Sequence, residues 1–189
     1  KGSQVTMSAK RHERTFARRC AVQVLYTSEI QNLAPSVVLE QGLCLVEDGS
    51  LSDYAVMLAK GVESHRADID SRLASVSENW SVERMPIVDR MILRLAAFEM
   101  LYCDQVPVSV TINEAVELAK GFGGEDDSPR FVNGVLGQIA RSLEAEGAAD
   151  AVGSPAEEPA AGDAGGGTGD RPASDADGAA PMAAEGSEA

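Results

Sequence analysis

Apolar residues recur at helical spacing from about residue 9 to residue 144, and this pattern restricts the fold more than any other feature. No segment shows the strict alternation of apolar and polar residues that a half-buried strand requires. The segment 86–102 is the most apolar, with a wide hydrophobic arc made by Val88, Met91, Ile92, Leu95, Phe98 and Tyr102. The sequence therefore predicts an all-α domain with this helix at its centre.

Proline and glycine divide the body into about seven helices. Ser50 with Asp53 resembles a capping box for the third helix, and Ser128 followed by Pro129 favours the start of the seventh. The expected helices cover 9–31, 36–46, 51–62, 67–76, 86–102, 107–121 and 128–144. In the first helix, one stripe is apolar and is expected to be buried: Ala17, Cys20, Ala21, Val24 and Leu25.

The C-terminal part of the chain has a composition that opposes folding. Of the 46 residues from 144 to 189, 39 are Ala, Gly, Pro, Asp or Glu, and none is aromatic. Such a segment buries too little apolar surface to offset its ordering entropy. The predicted organisation is a flexible N-terminus at 1–8, a helical domain at 9–146 and a disordered tail at 147–189.

The net charge of −14 is unevenly distributed along the chain. The first 30 residues hold six basic and two acidic residues, whereas residues 144–189 hold 11 acidic residues and one Arg. The overall acidity therefore does not exclude nucleic acid as a partner, because the basic residues are concentrated at one end.

Several functional classes find no support in the sequence. Cys20, Cys44 and Cys103 are scattered without C-x-x-C spacing, so neither a disulfide framework nor a zinc site is expected. There is no run of 18 apolar residues, no signal-peptide pattern and no catalytic or nucleotide-binding motif. We expect a cytoplasmic protein that is not an enzyme, does not enter a membrane and needs no metal or cofactor.

The first helix carries a group of basic residues within ten positions: Lys10, Arg11, Arg14, Arg18 and Arg19. Helical spacing places Arg11, Arg14 and Arg18 side by side on a stripe that does not overlap the apolar one, and like charges at these spacings repel. Folding alone gives no reason to gather them, whereas a phosphate backbone does. A solvated helix face explains the charge pattern equally well.

The connection between the sixth and seventh helices is a second candidate binding element. Arg130 and Phe131, at a helix N-terminus that attracts anions, could grip RNA by charge and stacking. Asp126 and Asp127 could accept hydrogen bonds from base amino groups. The alternative, favoured by spacing alone, is an ordinary loop with Phe131 in the core. Tyr26, about two turns after Arg18, is equally suited to stacking on a base or to packing.

Four polar or small residues lie inside the last two predicted helices: Asn113, Glu114, Asn133 and Gly134. Asn and Gly are weak helix formers, so helix stability did not select them. We expect the polar three to form hydrogen bonds between helices, and Gly134 to permit close approach of a neighbouring helix.

Four segments in a fixed order resemble the NusB family of bacterial transcription antitermination factors. They are RRCAVQVLY at 18–26, RMPIVDRMILRLAAFEM at 84–100, INEAVELAK at 112–120 and FVNGVLGQI at 131–139. The resemblance implies a fold of two perpendicular three-helix sub-bundles. It also implies a non-enzymatic protein that binds boxA-type single-stranded RNA together with NusE, a small-subunit ribosomal protein. This heterodimer joins an antitermination complex on RNA polymerase during ribosomal RNA transcription.

The resemblance also implies which residues contact RNA. The Arg-rich first helix maps to Arg14 and Arg18, with Lys10 and Arg11 nearby. The family's aromatic residues map to Tyr26 and Phe131, and its loop acid to Asp126 or Asp127. Two departures are visible: Thr15 and Phe16 interrupt the usual basic run, for which Arg19 compensates, and Gly137 replaces a carboxylate. The weaker basic run leaves an alternative, a protein-interaction module or homodimer with weak or lost RNA binding.

Overall fold

The computed structural model describes residues 2–44, 51–77, 81–122 and 127–153, with side chains from 9 to 147 within those ranges. These residues form seven α-helices, one short 3-10 turn at Val82–Arg84 and no strand, which confirms the all-α prediction. The helices are α1 (Gly2–Gln31), α2 (Pro35–Glu40), α3 (Asp53–Ser64), α4 (Arg66–Val76), α5 (Ile87–Tyr102), α6 (Val108–Phe122) and α7 (Ser128–Gly153).

Both end helices are longer than expected. α1 begins at Gly2, so the segment predicted to be a flexible N-terminus is helical from its second residue. α7 continues to Gly153, beyond the predicted limit of the helical domain, through an Ala-rich stretch with high helix propensity. An ion pair between Arg72 and Glu146 joins the C-terminal part of α7 to α4. Residues 154–189, most of the predicted disordered tail, lie outside the described residues.

Two boundaries near the second and third helices also differ from expectation. α2 ends at Glu40 because Gly42 follows with a φ of +60°, a left-handed conformation that terminates a helix. α3 is capped by Ser52, whose Oγ accepts a hydrogen bond from the backbone N–H of Ala55 at 3.3 Å. The predicted cap, Ser50, lies outside the described residues.

Six of the helices form two groups of three, and α4 packs against the second group. α1, α2 and α3 contact one another, as do α5, α6 and α7, while α4 lies against α5 and α7. α5 also contacts α1 and α3 and so joins the two groups. Every residue from Asp89 to Glu99 is buried, which confirms the expectation that this helix is central.

A close contact between α3 and α5 requires glycine at position 61. A methyl group added at Gly61 would lie 2.1 Å from Cζ of Phe98, a distance that real atoms do not adopt. Phe98 is 5 % exposed, and its ring also packs on His65 and Tyr102 with centroid distances of 5.6 and 5.5 Å. The missing side chain therefore lets the aromatic ring lie directly against the backbone of α3.

A group of opposite charges ties the end of α1 to α4 and α5. Glu29 accepts hydrogen bonds from Arg90 at 2.8 Å, Arg66 at 3.1 Å and Arg94 at 3.3 Å. Arg94 also donates to both carboxylate oxygens of Asp70, at 2.7 and 2.9 Å. Burial opposes ionisation of Glu29, but the three guanidinium groups outweigh burial and lower the pKa of this carboxyl below 4.5.

The lowered pKa of Glu29 predicts an acid-sensitive contribution to stability. A carboxyl with a lower pKa in the folded state stabilises the fold above its unfolded pKa, and this stabilisation is lost as pH falls. We expect Glu29→Gln to be less stable than the wild type near neutral pH. The two stability curves should converge as pH drops below about 4.5. Urea denaturation at several pH values measures this, and a constant difference across that range would contradict the prediction.

Candidate nucleic-acid interface

The outer face of α1 presents four cationic side chains. Lys10, Arg11 and Arg19 are exposed, and Arg14 is half-buried. Among the described residues, none of the four forms an ion pair with a carboxylate. Their charges are therefore available to an external anion, and we call Lys10, Arg11, Arg14 and Arg19 the cationic face.

Arg18 does not belong to this face, and the prediction that it lies on the exposed stripe is wrong. Its side chain is 3 % exposed and points into the interior. Its Nε donates to both oxygens of Glu99 at 3.0 and 2.9 Å, and its Nη1 donates to Glu114 at 3.3 Å. Burial alone would lower the pKa of Arg18, but Glu99 outweighs burial and raises it. Arg18 is thus a buried cation neutralised inside the protein.

Two further side chains complete the hydrogen bonds of this buried group. Glu99 is fully buried and also accepts from the hydroxyl of Tyr54, on α3. Glu114 accepts from the hydroxyl of Thr15 at 2.7 Å. Burial and the bond to Glu99 raise the pKa of Tyr54, so its hydroxyl remains protonated and donates. The group joins α1, α3, α5 and α6 directly beneath the cationic face.

Two members of the cationic face rest on aromatic rings from other helices. The guanidinium carbon of Arg14 lies 5.0 Å from the centre of the Tyr54 ring, and that of Arg19 lies 4.9 Å from the centre of the Phe122 ring. Both distances fall within the range of cation–π interactions. The α3 and α6 helices therefore supply platforms for cations carried by α1.

Next to Arg19, an open cleft of about 380 Å³ runs between α1 and the end of α6. Its lining is mainly apolar and includes Val22, Tyr26, Leu43, Val88 and Phe122. Tyr26 is 40 % exposed, so much of its ring faces solvent. Of the two interpretations of Tyr26, this position favours the one in which it is available for stacking.

The connection between α6 and α7 is only partly described, because residues 123–126, including the candidate Asp126, lie outside the described residues. The side chains of Asp127 and Arg130 are 91 % and 89 % exposed, and Nη1 of Arg130 lies 3.9 Å from Oδ1 of Asp127. Phe131 is half-buried and packs against the main core, as expected from the alternative in which the connection is an ordinary loop. Ser128, at the start of α7, donates to Asp89 of α5 and so fixes the end of this connection.

The mid-helix polar residues occupy different positions from those expected. Asn113, Asn133 and Gly134 are exposed, and nothing lies within 4 Å of a methyl group placed on Gly134. The prediction that these three residues lock helices together is therefore wrong. Glu114 alone of the four is buried, and it connects α6 to Arg18 and Thr15 of α1.

No sequence pattern indicates the partners that organise this surface. Tyr54, Glu99 and Phe122 lie far along the chain from the basic residues that they contact, and each is also an ordinary core-forming or helix-forming residue.

Within the described ranges, no group of three His, Cys, Asp or Glu side chains is placed to hold a metal ion. None of the described helices is long and apolar enough to cross a membrane.

The fold and the cationic face define a small all-helical protein whose first helix exposes a group of cationic side chains. The sequence profile of the NusB family matches residues 15–141, and the chain belongs to this family. It is 42% identical over 146 residues to the transcription antitermination protein NusB of Geotalea uraniireducens, covering 72% of this chain and 97% of that protein. The NusB of a Nocardioides species is 41% identical over 129 residues, covering 68% of this chain and 94% of that protein.

Solved structures show the same fold. A structure of T. maritima NusB is 32% identical, with a TM-score of 0.59, and the match covers 68% of this chain and 90% of that chain. A crystal structure of the antitermination factors NusB and NusE in complex with dsRNA contains a chain that is 27% identical, with a TM-score of 0.57. It covers 69% of this chain and 98% of that one.

Proposed function

We propose that this NusB family member is a transcription antitermination factor that binds boxA-type RNA together with NusE. In this role it is a cytoplasmic adaptor of the RNA polymerase antitermination complex and carries out no catalysis itself. The cationic face of α1 is the observation that carries the proposal, because it gathers four cations that form no ion pair with a carboxylate in the described part of the chain. Gathering like charges on one helix face is unfavourable for folding but favourable for binding phosphates.

The site residues proposed for RNA contact divide by chemistry. Lys10, Arg11, Arg14 and Arg19 neutralise phosphates, and Arg130 is a further exposed cation next to Asp127. Tyr26, beside an apolar cleft, is the residue best placed to stack on a base. Arg18 is not included because its guanidinium is buried and paired with Glu99 and Glu114. The similarity to a chain from a crystal structure of NusB and NusE in complex with dsRNA supports NusE and RNA as the classes of partner.

Salt dependence provides a quantitative test. If four phosphates are neutralised, the logarithm of the association constant should fall with the logarithm of salt concentration at a slope of about −3, from roughly −0.7 per phosphate on a single strand. Fluorescence anisotropy with a short boxA-containing RNA, with and without NusE, measures this slope. Arg11→Ala should make the slope shallower by about 0.7, the contribution of one phosphate. Binding that does not respond to salt would contradict the assignment.

The matched controls separate RNA chemistry from general affinity. Tyr26→Ala should cost about 1–3 kcal/mol of binding free energy without changing the salt slope, because a stacked base carries no counterion-releasing charge. A duplex of the same sequence, and a scrambled single strand, distinguish recognition of unpaired bases from general binding to phosphates. If light scattering shows a homodimer and NusE does not enhance RNA binding, the protein-interaction alternative is favoured instead.

A further inference from the structure

We propose that Tyr54 and Phe122 are positioning residues for RNA binding, each holding one arginine of the cationic face on its ring. Tyr54 holds Arg14, and Phe122 holds Arg19. The inference rests on the proposed RNA binding, and it identifies which cations are pre-oriented and what orients them. Neither aromatic residue is required to touch the RNA for this role.

The Tyr54 platform is fixed from below by buried hydrogen bonds. Its hydroxyl donates to Glu99, which is 0% exposed and is held in turn by Arg18 Nε at 3.0 and 2.9 Å. Arg18 also lies 5.8 Å from the same ring. The tyrosine ring therefore has a buried anchor at its hydroxyl, and the guanidinium carbon of Arg14, a half-buried residue, lies 5.0 Å from the centre of the ring.

The Phe122 platform is fixed by packing instead. Phe122 is half-buried and contacts the main hydrophobic core of the domain. The guanidinium of Arg19 lies over this ring at 4.9 Å, and one of its nitrogens would be 3.7 Å from a methyl group placed on Gly121. The end of α6 thus presents both a ring and a bare backbone position to the same arginine.

A guanidinium that stacks on a ring keeps its N–H edges free for a phosphate. Because its side chain is already ordered, it loses less rotamer freedom when it binds. Lys10 and Arg11 make no ring contact and no ion pair among the described contacts, so they have no comparable support. Arg14 and Arg19 should therefore each contribute more to RNA affinity than Lys10 or Arg11 does.

A set of double-mutant cycles tests the proposal. With a short single-stranded boxA RNA as probe, Tyr54→Leu should weaken binding about two- to fivefold, the size of an exposed cation–π interaction. Tyr54→Phe, which keeps the ring but loses its hydroxyl anchor, should bind more tightly than Tyr54→Leu. In an Arg14→Ala background, Tyr54→Leu should have no further effect, because the residue that it positions is absent.

Crossed pairs provide the matched control. The effects of Tyr54→Leu and Arg19→Ala should multiply, as should those of Phe122→Leu and Arg14→Ala, since neither pair is in ring contact. If Tyr54 had only a structural role, its substitution would weaken binding equally in the Arg14→Ala and wild-type backgrounds. That outcome would overturn the proposal while leaving RNA binding intact. Circular dichroism and thermal melting confirm that each variant is folded.

A measurement without RNA separates this proposal from the proposed function. In NMR spectra of the free protein, the side-chain N–H resonance of Arg14 should carry a ring-current shift that disappears in Tyr54→Leu and persists in Tyr54→Phe. Absence of that shift in the wild type would overturn the platform itself. Suppose instead that the wild type shows the ring-current shift but Arg14→Ala binds RNA with unchanged affinity. That result would refute the cationic face as the RNA site, and with it the positioning role.

Discussion

Arg18→Ala should lower the free energy of unfolding by about 3–5 kcal/mol, the usual cost of removing one partner from a buried ion pair. The substitution leaves Glu99 fully buried without its cation and removes one of the donors to Glu114. Although Arg18 belongs to a run of basic residues, its loss should therefore be felt first as instability. Urea denaturation followed by circular dichroism measures the change.

Arg11→Ala is the matched control for this effect, because Arg11 lies on the same helix and is exposed. Its stability should stay within about 0.5 kcal/mol of the wild type. The double variant Arg18→Ala/Glu99→Ala should be less destabilised than the sum of the two single variants, since neither charge is then left unpaired. A loss below about 1 kcal/mol for Arg18→Ala would mean that the buried pair is not formed in solution.

Gly61→Ala should destabilise the protein by about 1–3 kcal/mol, although alanine is the better helix former by about 1 kcal/mol. The added methyl group would meet the ring of Phe98 at 2.1–2.5 Å, and that ring is buried between α3 and α5. Relief of the clash requires the ring or the helix to move. Thermal and urea denaturation of the variant measure the loss.

Gly134→Ala should change the free energy of unfolding in the opposite direction. Position 134 is exposed within α7 and has open space around it, so alanine should stabilise the helix by up to about 1 kcal/mol. In a Phe98→Leu background, Gly61→Ala should become much less costly because the smaller side chain leaves room. If both glycine variants shifted stability in the same direction, the contact between Gly61 and Phe98 could not be the cause.

Helical periodicity predicted the fold because buried stripes repeat over long segments, as in α5, where the apolar arc identified the central helix. The site was harder to predict, since exposure of a basic residue depends on what other helices place beneath it. Arg14 and Arg18 differ by one helical turn and look equivalent in the sequence. The carboxylates of Glu99 and Glu114, supplied by α5 and α6, bind Arg18 in the interior and so distinguish it from Arg14.

The prediction that Asn113, Asn133 and Gly134 lie between helices was wrong for a related reason. A weak helix former inside a helix indicates that something other than helix stability selected it, but not whether the cause lies in the core or on the surface. Gly61 serves close packing, whereas Asn113, Asn133 and Gly134 face solvent. No local pattern distinguishes the two situations, because the deciding atoms belong to residues far away along the chain.

The charge group around Arg18 also constrains the order in which the chain can reach its final structure. Arg18 is separated by 81 residues from Glu99 and by 96 from Glu114. During synthesis from the N-terminus, α1 emerges first, yet Glu99 and Glu114, the carboxylates that pair with Arg18, are made only with α5 and α6. Such long-range contacts slow folding because a large loop must close before they form. The helix that carries the cationic face is therefore the first to be synthesised, whereas a nascent chain that ends before residue 99 lacks both carboxylate partners of Arg18.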